Sequence, residues 1–363
     1  MAKKKVNDDN NSVLIKAVDN GDPSYIESLL LKLDYDVNER NKNLDTPLIR
    51  ATSKSQSEVI KILLTHNADV NARNKKNESA LMKAVENGDY VAFKLLIDHN
   101  ADVEARNSDG CSVLLLAVDG GHVDIIKKLL ELKVDVNSRN INGETPLIRA
   151  TRNKNIEVSK LLIDSGADIT SRNNDGYSAL LVAADNGMID IVKLLVESGV
   201  DINERDKRYR TPLMLAVSEK KYDVVKYLIS SSADVNARDE DGISPLGYAC
   251  KRQDLNLVQL LLEAGANIET KNNDGETLLH IACSNYSANL ELIRFLLEKG
   301  IDVNVQSNYG NSALMFAAEH ELYNAVELLI EYGADMHLKN KDKETAFDLA
   351  YDKEMQVFLT TRK

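Results

Sequence analysis

One pattern governs this chain: a Ser or Thr, an apolar pair and an Ala return at near-constant intervals. The Ser or Thr stands at Ser12, Thr46, Ser79, Ser112, Thr145, Ser178, Thr211, Ser244, Thr277, Ser312 and Thr345, 33 residues apart except for a first step of 34 and a ninth of 35. The heptapeptide TPLIRAT recurs verbatim at Thr46–Thr52 and Thr145–Thr151, as internal duplication would leave it. A segment this short cannot bury its own apolar faces, so the period predicts units that are stable only when stacked on their neighbours.

The copy from Thr145 to Asn173 shows what each unit folds into. Thr145 is a good N-cap and Pro146 suits the first helical position, where a missing N–H costs nothing, so a helix begins there. Leu147, Ala150 and Thr151 share one face of it, while Arg149 and Asn153 share another. A polar turn at Asn153–Asn155 leads to a second helix that carries Val158, Leu161 and Leu162 inward and stops at Gly166, placed as a helix C-terminal glycine should be. Asp168–Gly176 alternates poorly and ends in Asn-Asp-Gly, a tight-turn signature leading back to the next N-cap. By the same reading all five prolines, Pro23, Pro47, Pro146, Pro212 and Pro245, open helices.

T-P-L, then Ala, then L-L, then G-A-D at this period resembles the ankyrin repeat, and the resemblance runs from residue 12 to about 359 in eleven units. It implies an all-α solenoid of stacked helix-turn-helix units joined by β-hairpin-like loops. The expected organisation is a disordered N-terminal tail over 1–11 and a single ankyrin-repeat domain over 12–363, its first and last repeats acting as caps. At a helix spacing of about 10 Å the array would be on the order of 100 Å long.

A net charge of −12 works against general binding to nucleic acid or anionic membrane. No apolar run reaches the length of a membrane span and MAKKKVNDDNN lacks the apolar middle of a signal peptide, so a cytoplasmic monomer is expected. Cys250 and Cys283 fill one slot in neighbouring units, about 10 Å apart and beyond the roughly 7 Å reach of a disulfide. Both are expected in the core, and Cys111, at a hairpin tip, as a free thiol.

Five residues after every mark, from Ala17 to Ala350, stands an Ala, where a larger side chain should push adjacent helices apart. After the second helices runs a basic ladder, Arg40, Arg73, Arg106, Arg139, Arg172, Arg205, Arg238, Lys271 and Lys339, broken at Gln306. The resemblance implies structural pairing for it, near the Asp four residues earlier, such as Asp69 before Arg73. Leu44, Asn77, Tyr209 and Lys343 replace the hairpin glycine; Leu and Tyr tolerate positive φ poorly, so another turn is expected at those tips. The two extra residues of the ninth unit are expected in the turn around Ser284–Ala288, and the extra residue before Thr46 near Leu33 and Asp34. The final unit is expected to shorten its second helix and to hold Asp348 on a polar outer face.

Neither a phosphate loop nor a dinucleotide fingerprint occurs. His320-Glu321-Leu322-Tyr323-Asn324 begins like a zinc-protease helix but carries Asn where the second ligand must stand. His66 and His99 share a slot in adjacent units, too far apart at about 10 Å to hold one metal. His280 alone stands where the resemblance implies a structural hydrogen bond. No catalytic residue, cofactor or metal is therefore expected.

The resemblance further implies that hairpin tips and first helices line a concave groove that binds proteins. Its first-helix position reads Lys16, Arg50, Lys83, Leu116 and Arg149, then Val182, Leu215, Tyr248, Ile281, Phe316 and Leu349. If these side chains face outward, a partner's acidic part would lie over units one to five and its apolar part over units six to ten, a large apolar patch for a monomer. Alternatively the position is half-buried packing, which helical spacing does not settle. At the tips, Tyr177, Tyr309 and the basic, aromatic run Lys207, Arg208, Tyr209 and Arg210 are further candidates, against the reading of a solvated loop. The expected function is a non-enzymatic scaffold for a partner protein; the alternative is a regulatory inhibitor or host-directed effector that covers a partner enzyme's active site.

Overall fold

The Ser and Thr marks cap helices as their chemistry requires. In the computed structural model, which describes residues 13–32 and 35–361, Thr145 is extended (φ −92°) and its hydroxyl accepts the Ile148 N–H. Thr46, Ser79 and Ser112 do the same for Ile49, Met82 and Leu115, as do Thr211, Ser244 and Ser312 for Met214, Gly247 and Met315. All five prolines open helices. The expected tail over 1–11, the mark Ser12 and the extra residue near Leu33 and Asp34 lie outside the described residues.

The helices come in pairs, within two compact units. The first unit, residues 1–179, holds α1 (Val13–Asn20) with α2 (Pro23–Leu30), α3 (Pro47–Ser53) with α4 (Ser57–Thr65), α5 (Ala80–Glu86) with α6 (Tyr90–Asp98), α7 (Val113–Gly120) with α8 (Val123–Glu131), and α9 (Pro146–Arg152) with α10 (Ile156–Asp164). Helix α11 (Ala179–Asn186) runs across the division between the units, and α12 (Ile189–Glu197) follows it in the second unit, residues 180–363. There follow α13 (Pro212–Ser218) with α14 (Tyr222–Ser230), α15 (Pro245–Lys251) with α16 (Leu255–Glu263), α17 (Leu278–Cys283) with α18 (Leu290–Glu298), α19 (Ala313–Glu319) with α20 (Tyr323–Glu331), and α21 (Ala346–Leu349) with α22 (Lys353–Thr361).

Helices of four to nine residues do not persist alone, so packing holds them. First helices are buried almost all round: every residue from Val113 to Val118 in α7 and from Pro212 to Val217 in α13. Second helices bury only a stripe, such as Ile125, Ile126 and Leu129 in α8. In the first unit α1, α3, α5, α7 and α9 pack in succession, as α13, α15, α17, α19 and α21 do in the second. The recurrent Ala, from Ala17 to Ala350, is nowhere more than 2% exposed, so a methyl group is what fits between adjacent first helices. In the unit read first, Val158 and Leu162 are buried but Leu161 is only half-buried, its expected inward place being taken by Ser159.

Hydrogen bonds between repeats staple the loops. Asn38, Asn71 and Asn137 each accept, through Oδ1, the N–H of the Asp 31 residues on, at 2.7–2.8 Å. In the second unit Asn203, Asn236 and Asn304 do so for Asp234, Asn267 and Asp335 at 2.8 Å. The basic ladder is structural at Arg40, Arg73, Arg106, Arg139 and Arg238, but the partners there differ from the expected ones. Asp69 accepts its own Asn71 N–H, while Arg73 reaches Asp102 of the next repeat at 3.2 Å. Arg40, Arg106, Arg139 and Arg238 donate to the carbonyl 33 residues on, at 2.5–2.8 Å.

Two expectations need correction. Leu44, Asn77, Tyr209 and Lys343 have φ of 59–66°, so their tips keep the turn that glycine makes elsewhere. The reason is local: Asp206 takes the Arg208 and Arg210 N–H groups on Oδ1 at 2.9 and 2.8 Å, fixing the loop whatever stands at 209. In the last repeat the shortened helix is the first, α21, whereas α22 keeps nine residues. Asp348 is exposed, as expected of a polar outer face, and it also closes a capping box with Thr345. The ninth repeat's insertion does fall in the turn between α17 and α18.

Candidate functional site

In the first unit three basic groove residues, Arg50, Lys83 and Arg149, come with carboxylates of their own. Lys16 is exposed; Arg50, Lys83 and Arg149 are half-buried, and Leu116 is buried at 9% exposure. Arg50 meets Asp19 at 2.6 Å, and Lys54 meets the same carboxyl at 3.3 Å. Burial works to raise the Asp19 carboxyl, but the bonds from Arg50 and Lys54 outweigh it and hold it below its ordinary value. Lys83 lies 2.8 Å from Glu78 and 2.9 Å from Glu86. Burial opposes its charge, yet the two carboxylates carry its pKa above the ordinary lysine value. Arg149 lies 2.9 Å from Glu144 and 3.3 Å from Asp119. Arg50, Lys75, Lys76 and Lys83 border a cleft of about 410 Å³ that Asn43 and the largely buried Glu78 also line.

In the second unit the apolar row divides. Val182 and Leu215 are each 1% exposed and belong to the core, which corrects their expected place on the groove surface. Tyr248, Ile281, Phe316 and Leu349 are half-buried. The Tyr248 hydroxyl donates to Asp239 at 2.7 Å, and burial followed by that bond pushes its pKa well above the tyrosine range. Phe316 stands edge-on to His280, with ring centroids 5.7 Å apart at 85°. His280 is buried: its Nδ1 accepts the Thr277 N–H at 3.2 Å, so its Nε2–H donates to the Asn311 carbonyl at 2.9 Å. That is the structural role the resemblance implied.

The tips differ in how far they are committed. Tyr177, in the first unit, is half-buried, with its backbone N–H on Asn173. Arg208 is held by Glu240 at 2.5 Å and Asp241 at 3.2 Å on the next tip, and Arg210 by Asp206 at 2.7 Å. Lys207 is exposed, Tyr209 is 56% exposed, and Tyr309, 60% exposed, donates to Asp274 at 3.3 Å. Thus Arg208 and Arg210 are part of the loop framework, and the Tyr209 and Tyr309 rings are the most exposed aromatic side chains of these tips. Cys111, Cys250 and Cys283 are free and buried; burial alone pushes the Cys283 thiol up to about 12. Among the described residues no group of three or more His, Cys, Asp or Glu could hold a metal ion, and no helix is long and apolar enough to cross a membrane. Sequence reasoning missed the contact between Tyr286 and His320, although the two-residue insertion marked the place.

Short helix pairs stacked through an alanine layer and stapled along their loops define a helical repeat protein. The chain belongs to the ankyrin-repeat family: the sequence model described as ankyrin repeats (3 copies) matches residues 2–74, 64–140, 81–173, 114–206, 147–239, 180–272 and 246–340. Among solved structures it is similar to the ankyrin repeat domain of Bcl-3, described as a unique member of the IkappaB protein family. The two are 29% identical with a TM-score of 0.55, over 60% of this chain and 100% of that one. No curated protein matches the chain. Ankyrin repeats are general protein–protein interaction modules.

Proposed function

We propose that the chain is a non-enzymatic scaffold that binds a partner protein on its first-helix faces and hairpin tips. The observation that supports this most is the run Tyr248, Ile281 and Phe316, one slot in three consecutive repeats, half-buried against its own helices and otherwise open. Side chains already fixed in place lose little entropy on binding, so such a row suits an anchor for apolar side chains. In the first unit an acidic partner would have to compete with Asp19, Glu78 and Glu144, so the basic row there orients a partner more than it adds affinity.

The test is affinity capture with the native chain and with the double variant Tyr248→Lys, Phe316→Lys. A partner held by the native chain is expected to be lost by the variant at an unchanged melting temperature. Equal capture by both sinks the reading, and a collapsed variant assigns these side chains to packing. A captured enzyme whose turnover falls on binding would make the chain an inhibitor rather than a scaffold.

A further inference from the structure

Two anomalies of the sequence that the groove does not use meet in the second unit: the insertion between α17 and α18, and the segment His320–Asn324 that leads into α20. The insertion carries Tyr286, 81% exposed, with its ring centroid 4.7 Å from that of His320. Tyr286 and Leu290 from the ninth repeat, and Glu321, Tyr323 and Asn324 from the tenth, line a cleft of about 280 Å³. The Tyr323 ring is held in place, its hydroxyl donating to Asp352 and Phe358 standing edge-on at 5.7 Å. Glu321 is exposed, sits at φ 57° on the turn, and makes no ion pair among the described residues. The unit as a whole carries an acidic excess, residues 180–363 holding 30 Asp and Glu against 20 Lys and Arg, and Glu321 is the one charged side chain that lines the cleft.

We propose that this cleft binds an arginine side chain of a partner protein. Aromatic faces attract cations through the negative potential over the ring, and an uncompensated carboxylate beside them adds a direct counter-charge. Among side chains, arginine satisfies both groups at once: its planar guanidinium stacks on a ring while its N–H fork meets a carboxylate, whereas lysine offers a hydrated point charge. The volume suits one side chain, being below the roughly 300–1,000 Å³ of pockets that enclose whole small molecules. The two-residue insertion lengthens this interhelical turn and brings Tyr286 to it. None of the groove residues takes part, so the site stands or falls apart from the groove reading.

The full chain with ¹³C-labelled tyrosine rings would be titrated with acetyl-arginine amide, acetyl-lysine amide and the neutral isostere acetyl-citrulline amide. The Tyr286 and Tyr323 signals are expected to shift with arginine and not with citrulline, and arginine to bind more tightly than lysine. Tyr286→Ala and Glu321→Gln should each weaken arginine binding about five-fold or more, while Tyr286→Phe, which keeps the ring, stays within about two-fold. These side chains are exposed, so melting temperatures should not move and lost binding cannot be ascribed to unfolding. Equal shifts with citrulline, equal binding of lysine, unaltered binding by Tyr286→Ala, or no shift with arginine would each overturn the proposal.

Discussion

Tyr209 occupies a position that six other tips give to glycine, and it does so at φ 60°. There an L side chain crowds its own backbone at a cost of about 1–2 kcal/mol, which the buried Asp206 imposes by drawing two flanking N–H groups onto one oxygen. The ring is 56% exposed, so removing it loses little packing. Tyr209→Gly should therefore raise the urea midpoint, the unfolding free energy rising by up to about 1 kcal/mol after the extra freedom of glycine in the unfolded chain is set against the relief; a lower midpoint would mean that the ring carries contacts worth more than the strain. His280 gives a pH dependence instead. Burial first of all disfavours its charged form and lowers its pKa, so between the ordinary value of 6.5 and the folded value the unfolded chain binds the extra proton. Its contribution is thus whole above pH 6.5 and is lost as pH falls through the folded pKa. His280→Gln should flatten the fall in melting temperature below pH 6.5 relative to the native chain, besides lowering stability by about 1–3 kcal/mol at pH 7.5 through an altered buried hydrogen-bond pair; an unchanged acid slope would remove His280 as its source.

Between residue and repeat, the loop ladder shows which property of a position matters. Gln306 interrupts the run of Arg and Lys, yet its amide donates to the Gly310 carbonyl at 2.5 Å and to the Lys339 carbonyl 33 residues on at 2.9 Å. Arg238 makes the same two kinds of bond, to Gly242 at 3.0 Å and Lys271 at 2.7 Å. What the position needs is a long side chain with two donors, and charge is secondary, which is why reading it as a set of Asp pairs misplaces the partners. Gln306→Ala should then lower the urea midpoint, with a loss of about 1 kcal/mol in unfolding free energy, the net worth of exposed neutral hydrogen bonds, while Gln306→Arg leaves it unchanged. If the Ala variant matches the native chain, water replaces both bonds without loss.

At the scale of the whole molecule, what is legible in the sequence is what recurs. Caps, prolines, helix-ending glycines and the Ala layer each appear up to eleven times, so local chemistry and spacing agree and the stacked architecture follows. Depth within one slot is not legible, because it depends on side-chain reach and on the neighbour. Val182 and Leu215 end inside the layer, the rings of Tyr248 and Phe316 extend past it, and Ile281 lies beside Gly247, where even an added Cβ would be 3.7 Å from its Cδ1 and glycine covers nothing. Energetics should follow the same nearest-neighbour logic. In the first unit Ala117 lies in α7, which packs on α5 and on α9. Ala117→Leu should overfill that contact at a cost of about 1–3 kcal/mol, and in a stack whose stability sums repeat and interface terms the loss should fade with distance. Hydrogen–deuterium exchange followed by mass spectrometry is expected to show the fastest gain in peptides from α5 to α10 and little change in α1 and α2. A uniform gain from α1 to α10 would mean that the five pairs open as one cooperative block, because interfaces too strong to break singly transmit a local defect through the entire unit.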